Sequence, residues 1–257
     1  MLSAIRQKSP LIHCITNTVT QNLVANVLLS VGGSPAMVDL EVEARQFAGV
    51  ADGVLINLGT PIGEQVGASL VAAKVAHGLS TPWVLDPVAV GFLSVRTDLA
   101  QQLLAFKPNV IRGNASEILA LARFASSGRG VDSSDATGDA LSAGRQLALE
   151  HGSVVAISGP IDLITDGQRT FEVHNGHSFL TQITGGGCAL GGFLAAGSSV
   201  SQDLGLDITR LCAGYALAAE RAARIARGPA SFQVAFIDEL FSLNDADIDS
   251  EGKINVL

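Results

Sequence analysis

Aromatic side chains are scarce in this sequence, with a single Trp83, a single Tyr215 and 5 % aromatics in all. A core must then be filled mainly by Ala, Val, Leu and Ile, the usual packing of a sheet covered by helices on both faces. Cysteine is scarce too. Cys14, Cys188 and Cys212 are odd in number and far apart, which excludes a disulfide framework or a CxxC metal site and suits a reducing compartment. Clustered Lys and Arg are missing, and the formal net charge is −8. That balance excludes the basic footprint of a nucleic-acid or anionic-lipid binder. No apolar run approaches the ~20 residues that span a bilayer. The start, Met1-Leu2-Ser3-Ala4-Ile5-Arg6, lacks the basic-then-apolar order of a signal peptide, so a cytoplasmic location is expected.

What is present is material for a large core. Of 257 residues, 47 % are apolar and 16 % charged, and α/β folds of this length often form one domain. Apolar runs of strand length alternate with helical stretches. Strands are expected at 11–15, 54–57, 83–85, 110–111 and 154–157. Helices are expected at 18–31, 62–77, 97–106, 115–124, 136–151, 189–199, 208–227 and 231–243. Repeated β-then-α order predicts a mostly parallel central sheet with helices on both faces. Asp166-Gly167 separates two extended runs and predicts a hairpin. The Gly/Ser-rich stretch 126–134 is too short for a domain linker, so a single domain over 1–257 is expected, without a separate lid. The acidic stretch 244–257 is expected to be a flexible tail.

Four segments carry candidate chemistry. Gly185-Gly186-Gly187-Cys188 lies between an extended run and a helix. Glycines allow close backbone approach and positive φ, and a helix start offers unpaired N–H groups and partial positive charge. Together these suit a phosphate. The other reading is a glycine-rich helix start that only packs closely. Cys188, in the first turn, is expected to have a lowered thiol pKa; its plain alternative is a small buried hydrophobe. Asp86-Pro87 ends a strand, where α/β ligand sites form. Asp86 is a candidate for Mg²⁺, or a turn aspartate. In Arg112-Gly113-Asn114-Ala115-Ser116-Glu117, Asn114 and Glu117 have capping-box spacing, while Glu117 is also a candidate near Mg²⁺ and phosphates and Arg112 a phosphate clamp. Ser158-Gly159 ends another strand and is a candidate wall of a nucleotide pocket.

With these segments in hand, the sequence resembles the ribokinase-like superfamily and, within it, the hydroxyethylthiazole kinase family. The resemblance runs over nearly the whole chain. It rests on His13-Cys14-Ile15-Thr16-Asn17, Ser34-Pro35-Ala36-Met37, Ile56-Asn57-Leu58-Gly59-Thr60 and Asp86-Pro87-Val88-Ala89-Val90-Gly91. It continues in 112–117, in Gly130-Val131-Asp132-Ser133 and in Ala230-Ser231-Phe232-Gln233-Val234-Ala235-Phe236-Ile237-Asp238. The resemblance implies ATP-dependent phosphorylation of the alcohol of 4-methyl-5-(2-hydroxyethyl)thiazole, a need for Mg²⁺, and a homotrimer with active sites between subunits. It implies thiazole contacts for Met37 and Gly185, with Asn17 and Gly59 in the same pocket, and ATP contacts for Arg112 and Ser158. Asp86 and Glu117 would serve Mg²⁺, and the N–H groups of Gly186, Gly187 and Cys188 would form an anion hole. Cys188 stands where most of the superfamily has an aspartate base. Gly186 stands where relatives often have a larger residue, which implies a looser turn. A kinase of another heterocyclic alcohol (a pyrimidine or pyridoxal), a hydro-lyase on the same fold and a non-catalytic sensor are the competing functions. Met37 and the missing turn aspartate argue against the first, and Asp86, Glu117 and Cys188 against the last.

Overall fold

The computed structural model describes residues 1–125 and 136–257. The expected loop 126–134 and the quoted segment Gly130-Val131-Asp132-Ser133 lie outside the described residues. In chain order the elements begin with α1 (Leu2–Lys8), β1 (Leu11–Ile15), α2 (Gln21–Ser30), β2 (Ser34–Met37), α3 (Glu41–Ala48), β3 (Gly53–Asn57) and α4 (Gly63–Leu79). Next come β4 (Trp83–Asp86), α5 (Ser94–Leu104), β5 (Val110–Asn114), α6 (Ala115–Ala125), α7 (Ala136–His151), β6 (Val154–Ser158), β7 (Asp162–Thr165) and β8 (Thr170–Val173). The chain then continues through α8 (Gly186–Ser198), α9 (Leu204–Ile225), α10 (Pro229–Ser242), α11 (Asp245–Glu251) and β9 (Ile254–Val256). Among the described residues the strands form one sheet, in the order β2-β1-β3-β4-β5-β6-β7-β8-β9. Pairing is parallel from β2 to β6 and antiparallel from β6 to β9. No described helix is long and apolar enough to cross a membrane.

Two buried clusters lie on opposite faces of this sheet. One joins residues of α1, α2, α8, α9 and α10 with Leu55, Val84, Val110, Val154 and Ala156. The other joins residues of α3 to α7 with Val54, Ile56, Trp83, Leu85, Ile111, Val155 and Ile157. Successive strand residues alternate between faces. Counting on from Leu55, Val84, Val110 and Ala156, the same parity puts Asn57, Asp86, Arg112 and Ser158 on the α8 face. The sequence period therefore aims four polar side chains at one helix.

Helices α1 and α3 are additions to the expected elements, and three further features depart from sequence expectation. Helix α2 starts at Gln21 rather than at residue 18, because Asn17 to Thr20 form a turn closed by Thr20 N–H to the Asn17 carbonyl at 3.1 Å. Strand β2 contains Pro35 and carries no alternation, yet it pairs in parallel with β1. It lies at the sheet edge, where a missing donor is tolerated. The third departure is a correction: residues 244–257 are folded. Asn244 caps α11 by accepting from Asp247 N–H at 3.1 Å. Arg221 pairs with Asp247 and Glu251, and β9 extends the sheet beside β8. The acidic residues that suggest a solvated tail are in fact helix caps and ion-pair partners.

Asp245 also ties this segment to α1, accepting from Leu2 N–H at 2.8 Å, Ser3 N–H at 3.0 Å and the Ser3 hydroxyl at 2.6 Å. It caps a helix distant in sequence. Asp245→Ala should cost about 1–2 kcal/mol, the usual value of a lost cap. Urea unfolding should show a lower midpoint with an unchanged m-value; an unchanged midpoint would show that the tie contributes nothing.

Candidate active site

Helix α8 begins at the glycine turn. Gly185 is its N-cap, with φ of +90°, a conformation an L side chain rarely adopts. A Cβ there would also lie 2.8 Å from the Thr20 side chain. Gly186, Gly187 and Cys188 form the first helical turn, so their N–H groups have no acceptor within the helix. The expected loose turn at Gly186 is not found. Its carbonyl accepts from the buried Tyr215 hydroxyl at 2.6 Å, and a Cβ would stand 2.8 Å from the Leu180 carbonyl oxygen. At Gly187 a Cβ would come within 2.7 Å of Arg112 Nη1. The missing side chain is what lets the guanidinium lie against the helix start.

Arg112 and Asp86 face each other beneath that helix. Asp86 is fully buried, and its Oδ1 lies 3.6 Å from Arg112 Nη1, too far for a hydrogen bond. Asn57 Nδ2 donates to Asp86 Oδ2 at 2.7 Å. Burial raises the Asp86 carboxyl to about 6; Arg112 pulls it back and Glu117 pushes it further up. Arg112 is penalised by burial, yet Asp86 and Glu117 hold its pKa above the ordinary value. Its Nη2 donates to the Ser158 hydroxyl at 2.9 Å.

Glu117 takes the capping geometry that its spacing predicts. Its Oε2 accepts from Asn114 N–H at 2.9 Å, while Asn114 Oδ1 accepts from Glu117 N–H at 3.0 Å. Its Oε1 accepts from Ala89 N–H at 3.0 Å, holding the loop after β4, where Ala89 has φ of +60°. Both oxygens are thus engaged by backbone. Asp86 Oδ1 differs: it is buried and has no hydrogen-bond donor. Among the described residues no three His, Cys, Asp or Glu side chains gather as a metal cluster. Mg²⁺ asks for less, since it is commonly held by one or two carboxylates with waters and substrate phosphates. The free Asp86 oxygen fits that requirement.

Cys188 is part-buried, and Asn17 Nδ2 donates to its sulfur at 3.5 Å. The expected fall in its pKa is reversed: burial pushes the thiol up, and the neighbouring Asp86 charge adds to the rise. Gly59 N–H donates to Asn57 Oδ1 at 2.9 Å, and Asn17 Nδ2 lies 3.4 Å from the same oxygen. Asn17, Gly59, Asp86, Arg112, Ser158 and the α8 start are therefore one connected group. Met37 stands apart from it, partly buried at the end of edge strand β2.

Sequence reasoning passed over Asn57, which joins both halves of this group. The available signal was a polar residue ending an otherwise apolar strand; the structure pairs it in register with Asp86. A cavity of about 660 Å³ opens beside Arg112, Ser158 and Gly187, where Ser158-Gly159 suggested a pocket wall; its other walls, residues 174–181 and α9 with Tyr215 and Cys212, were not foreseen.

A mostly parallel sheet with a glycine-headed helix over its C-terminal edge, and a cavity at that edge, defines an α/β fold of ribokinase-like architecture. A ribokinase-like protein from Enterococcus faecalis shares it, with a TM-score of 0.66 at 12 % identity over 94 % of this chain and 88 % of that one. A hydroxyethylthiazole kinase from Pyrococcus horikoshii matches with a TM-score of 0.91 at 33 % identity, over 100 % of this chain and 97 % of that chain. A curated hydroxyethylthiazole kinase from Clavibacter sepedonicus is 51 % identical over 93 % of this chain and 87 % of its own length. The model of the hydroxyethylthiazole kinase family matches residues 2–246. The chain belongs to that family.

The Asp86 environment sets a pH dependence. Its carboxyl is raised from 3.8 to about 6 on folding. Between these values the folded state holds the proton more tightly, so stability contributed by the neutral acid is lost as pH rises through 6. Asp86→Asn lacks this loss. Relative to wild type, its unfolding free energy should improve by on the order of 2–3 kcal/mol between pH 4 and pH 7. Urea titrations at both pH values measure it; a pH-independent difference would overturn the assignment.

Proposed function

We propose that this chain transfers the γ-phosphoryl group of ATP to the hydroxyl of 4-methyl-5-(2-hydroxyethyl)thiazole, a step of thiamine salvage. The observation that carries the proposal is the single group formed by Asn17, Cys188, Asp86 and Arg112 under the start of α8, in a chain of this family. Phosphoryl transfer asks a protein chiefly to align the two oxygens and to stabilise the moving charge. The thiazole alcohol lies on the side of Asn17, Met37, Gly59 and Gly185. ATP enters from the cavity side, with its phosphates toward Arg112 and Ser158. The N–H groups of Gly186, Gly187 and Cys188 point at the group in transfer, where fixed donors need no reorganisation. Arg112 adds a positive charge that burial keeps undiluted.

Asp86 would hold Mg²⁺ through its free Oδ1, with Glu117 assisting through water. When bound, the ion neutralises charge on the β- and γ-phosphates. The working enzyme is a cytoplasmic homotrimer in this reading, with active sites between subunits.

Cys188 is the group nearest to serving as a base. With its pKa raised it is a thiol at neutral pH, and Asn17 orients the sulfur through a donated hydrogen bond. Only the thiolate can take the alcohol's proton, becoming the thiol as it does so; a loose transition state requires little proton removal before the phosphoryl has moved, so a small thiolate fraction suffices. Cys188→Asp should turn over at least as fast as wild type, and Cys188→Ala roughly ten- to a hundredfold slower, near the lower end of general-base effects. An inactive Asp variant beside a fully active Ala variant would sink the base role. The activity itself is tested by mass detection of the phosphorylated thiazole after incubation with ATP and Mg²⁺. Product from pyridoxal or a pyrimidine alcohol, with none from the thiazole, would overturn the substrate.

A further inference from the structure

Gln65 is a polar side chain inside the first turn of α4, only 3 % exposed. A buried carboxamide is costly unless its hydrogen bonds are made. Here they reach three separate loops. Gln65 Nε2 donates to Asp39 Oδ2 at 2.9 Å and to the Thr16 carbonyl at 3.3 Å. Gln65 Oε1 accepts from Ile62 N–H at 3.3 Å. Two acceptors lie on one side and a donor on the other, which fixes the amide orientation and suits no other side chain of this length.

Each loop held in this way carries one residue of the thiazole side. Thr16 precedes Asn17, which bonds the Cys188 sulfur. Asp39 lies two residues after Met37. Ile62 lies three residues after Gly59, and the intervening Thr60 has φ of +68°. A non-glycine residue in that region persists only where its surroundings over-determine it, and the Gln65 contact to Ile62 is one such restraint. Asn17, Met37 and Gly59 themselves are not touched by Gln65.

We propose that Gln65 is a positioning residue that sets the mutual placement of the three loops forming the alcohol-binding side, and so controls acceptor affinity without taking part in phosphoryl transfer. The inference rests on the functional reading above. None of the Gln65 side-chain hydrogen bonds goes to Arg112 or Ser158, so the nucleotide side is expected to be unaffected.

The test is steady-state kinetics with separate titration of the thiazole alcohol and ATP, alongside thermal unfolding, for Gln65→Glu and for the pair Gln65→Glu with Asp39→Asn. The glutamate keeps the acceptor for Ile62 but sets a carboxylate against Asp39 and the Thr16 carbonyl. Its KM for the thiazole should rise about tenfold, the scale of one mispaired buried contact, with KM for ATP within about twofold. In the double variant the carboxamide introduced at position 39 can donate to the carboxylate introduced at position 65, and thiazole KM should return at least halfway on a logarithmic scale. Equal increases in both KM values, or an unchanged thiazole KM in a folded Gln65→Glu protein, would overturn the inference. So would a double variant no better than the single one. If Gln65→Glu does not fold, the double variant carries the test: it should fold and show the KM split. Wild type run beside them separates the two levels: no thiazole phosphate from wild type overturns the functional reading and this inference with it.

Discussion

Asp86 is fully buried at the end of β4, 3.6 Å from the Arg112 guanidinium. Neither group is well placed for stability alone. A buried charge pair costs several kcal/mol per ion in desolvation and recovers it only with good geometry and added hydrogen bonds. Here the added bonds come from Asn57 to Asp86 and from Arg112 to Ser158. The pair still leaves Asp86 Oδ1 without a donor. That oxygen is a deficit in folding, and in the proposed function it is the atom that would meet a cation. The ends of β3, β4, β5 and β6 and the glycine helix start gather around it, and the cavity opens on the far side of Arg112.

Helix α8 completes the pair from above. Its start needs a left-handed residue at Gly185 and the absence of a side chain at Gly187, since a Cβ there would displace Arg112. The Tyr215 hydroxyl anchors the Gly186 carbonyl, so the first turn is held from the α9 side. A turn rigid enough to present N–H groups in a fixed direction is worth more to a transition state than a flexible one. Desolvation at the same place raises Cys188. The environment that strengthens the electrostatics thus keeps the sulfur protonated at neutral pH.

The loops after β1, β2 and β3 are tied to one another by side-chain hydrogen bonds. Asn57 spans from Gly59 to Asp86, and Gln65 spans Thr16, Asp39 and Ile62. Loops carry most binding residues, and a rigid scaffold positions them. Amide side chains suit the task because one group can donate and accept in opposite directions. The strained residue Thr60 lies in one of the loops so restrained, while Ala89, after β4, is held by Glu117.

Much of this was legible in the sequence. The main β-then-α order and the hairpin at Asp166-Gly167 follow from local pattern, as does the placing of Asp86, Arg112 and Ser158 at strand ends and of Cys188 at a helix start. The capping box at Asn114 and Glu117 was readable because its partners are three residues apart. Strand β2 was not, because an edge strand with a proline carries no alternation. The 244–257 segment was not, because its ion pairs reach Arg221 and its cap reaches α1. The direction of the Cys188 shift depended on burial, which no local pattern reports. Residue type, spacing and period thus decided which groups could do chemistry and which face of the sheet they take. Only the tertiary structure decided which of them meet and what their burial does to their charge. Hydrogen bonds and desolvation depend on distances between residues far apart in the chain.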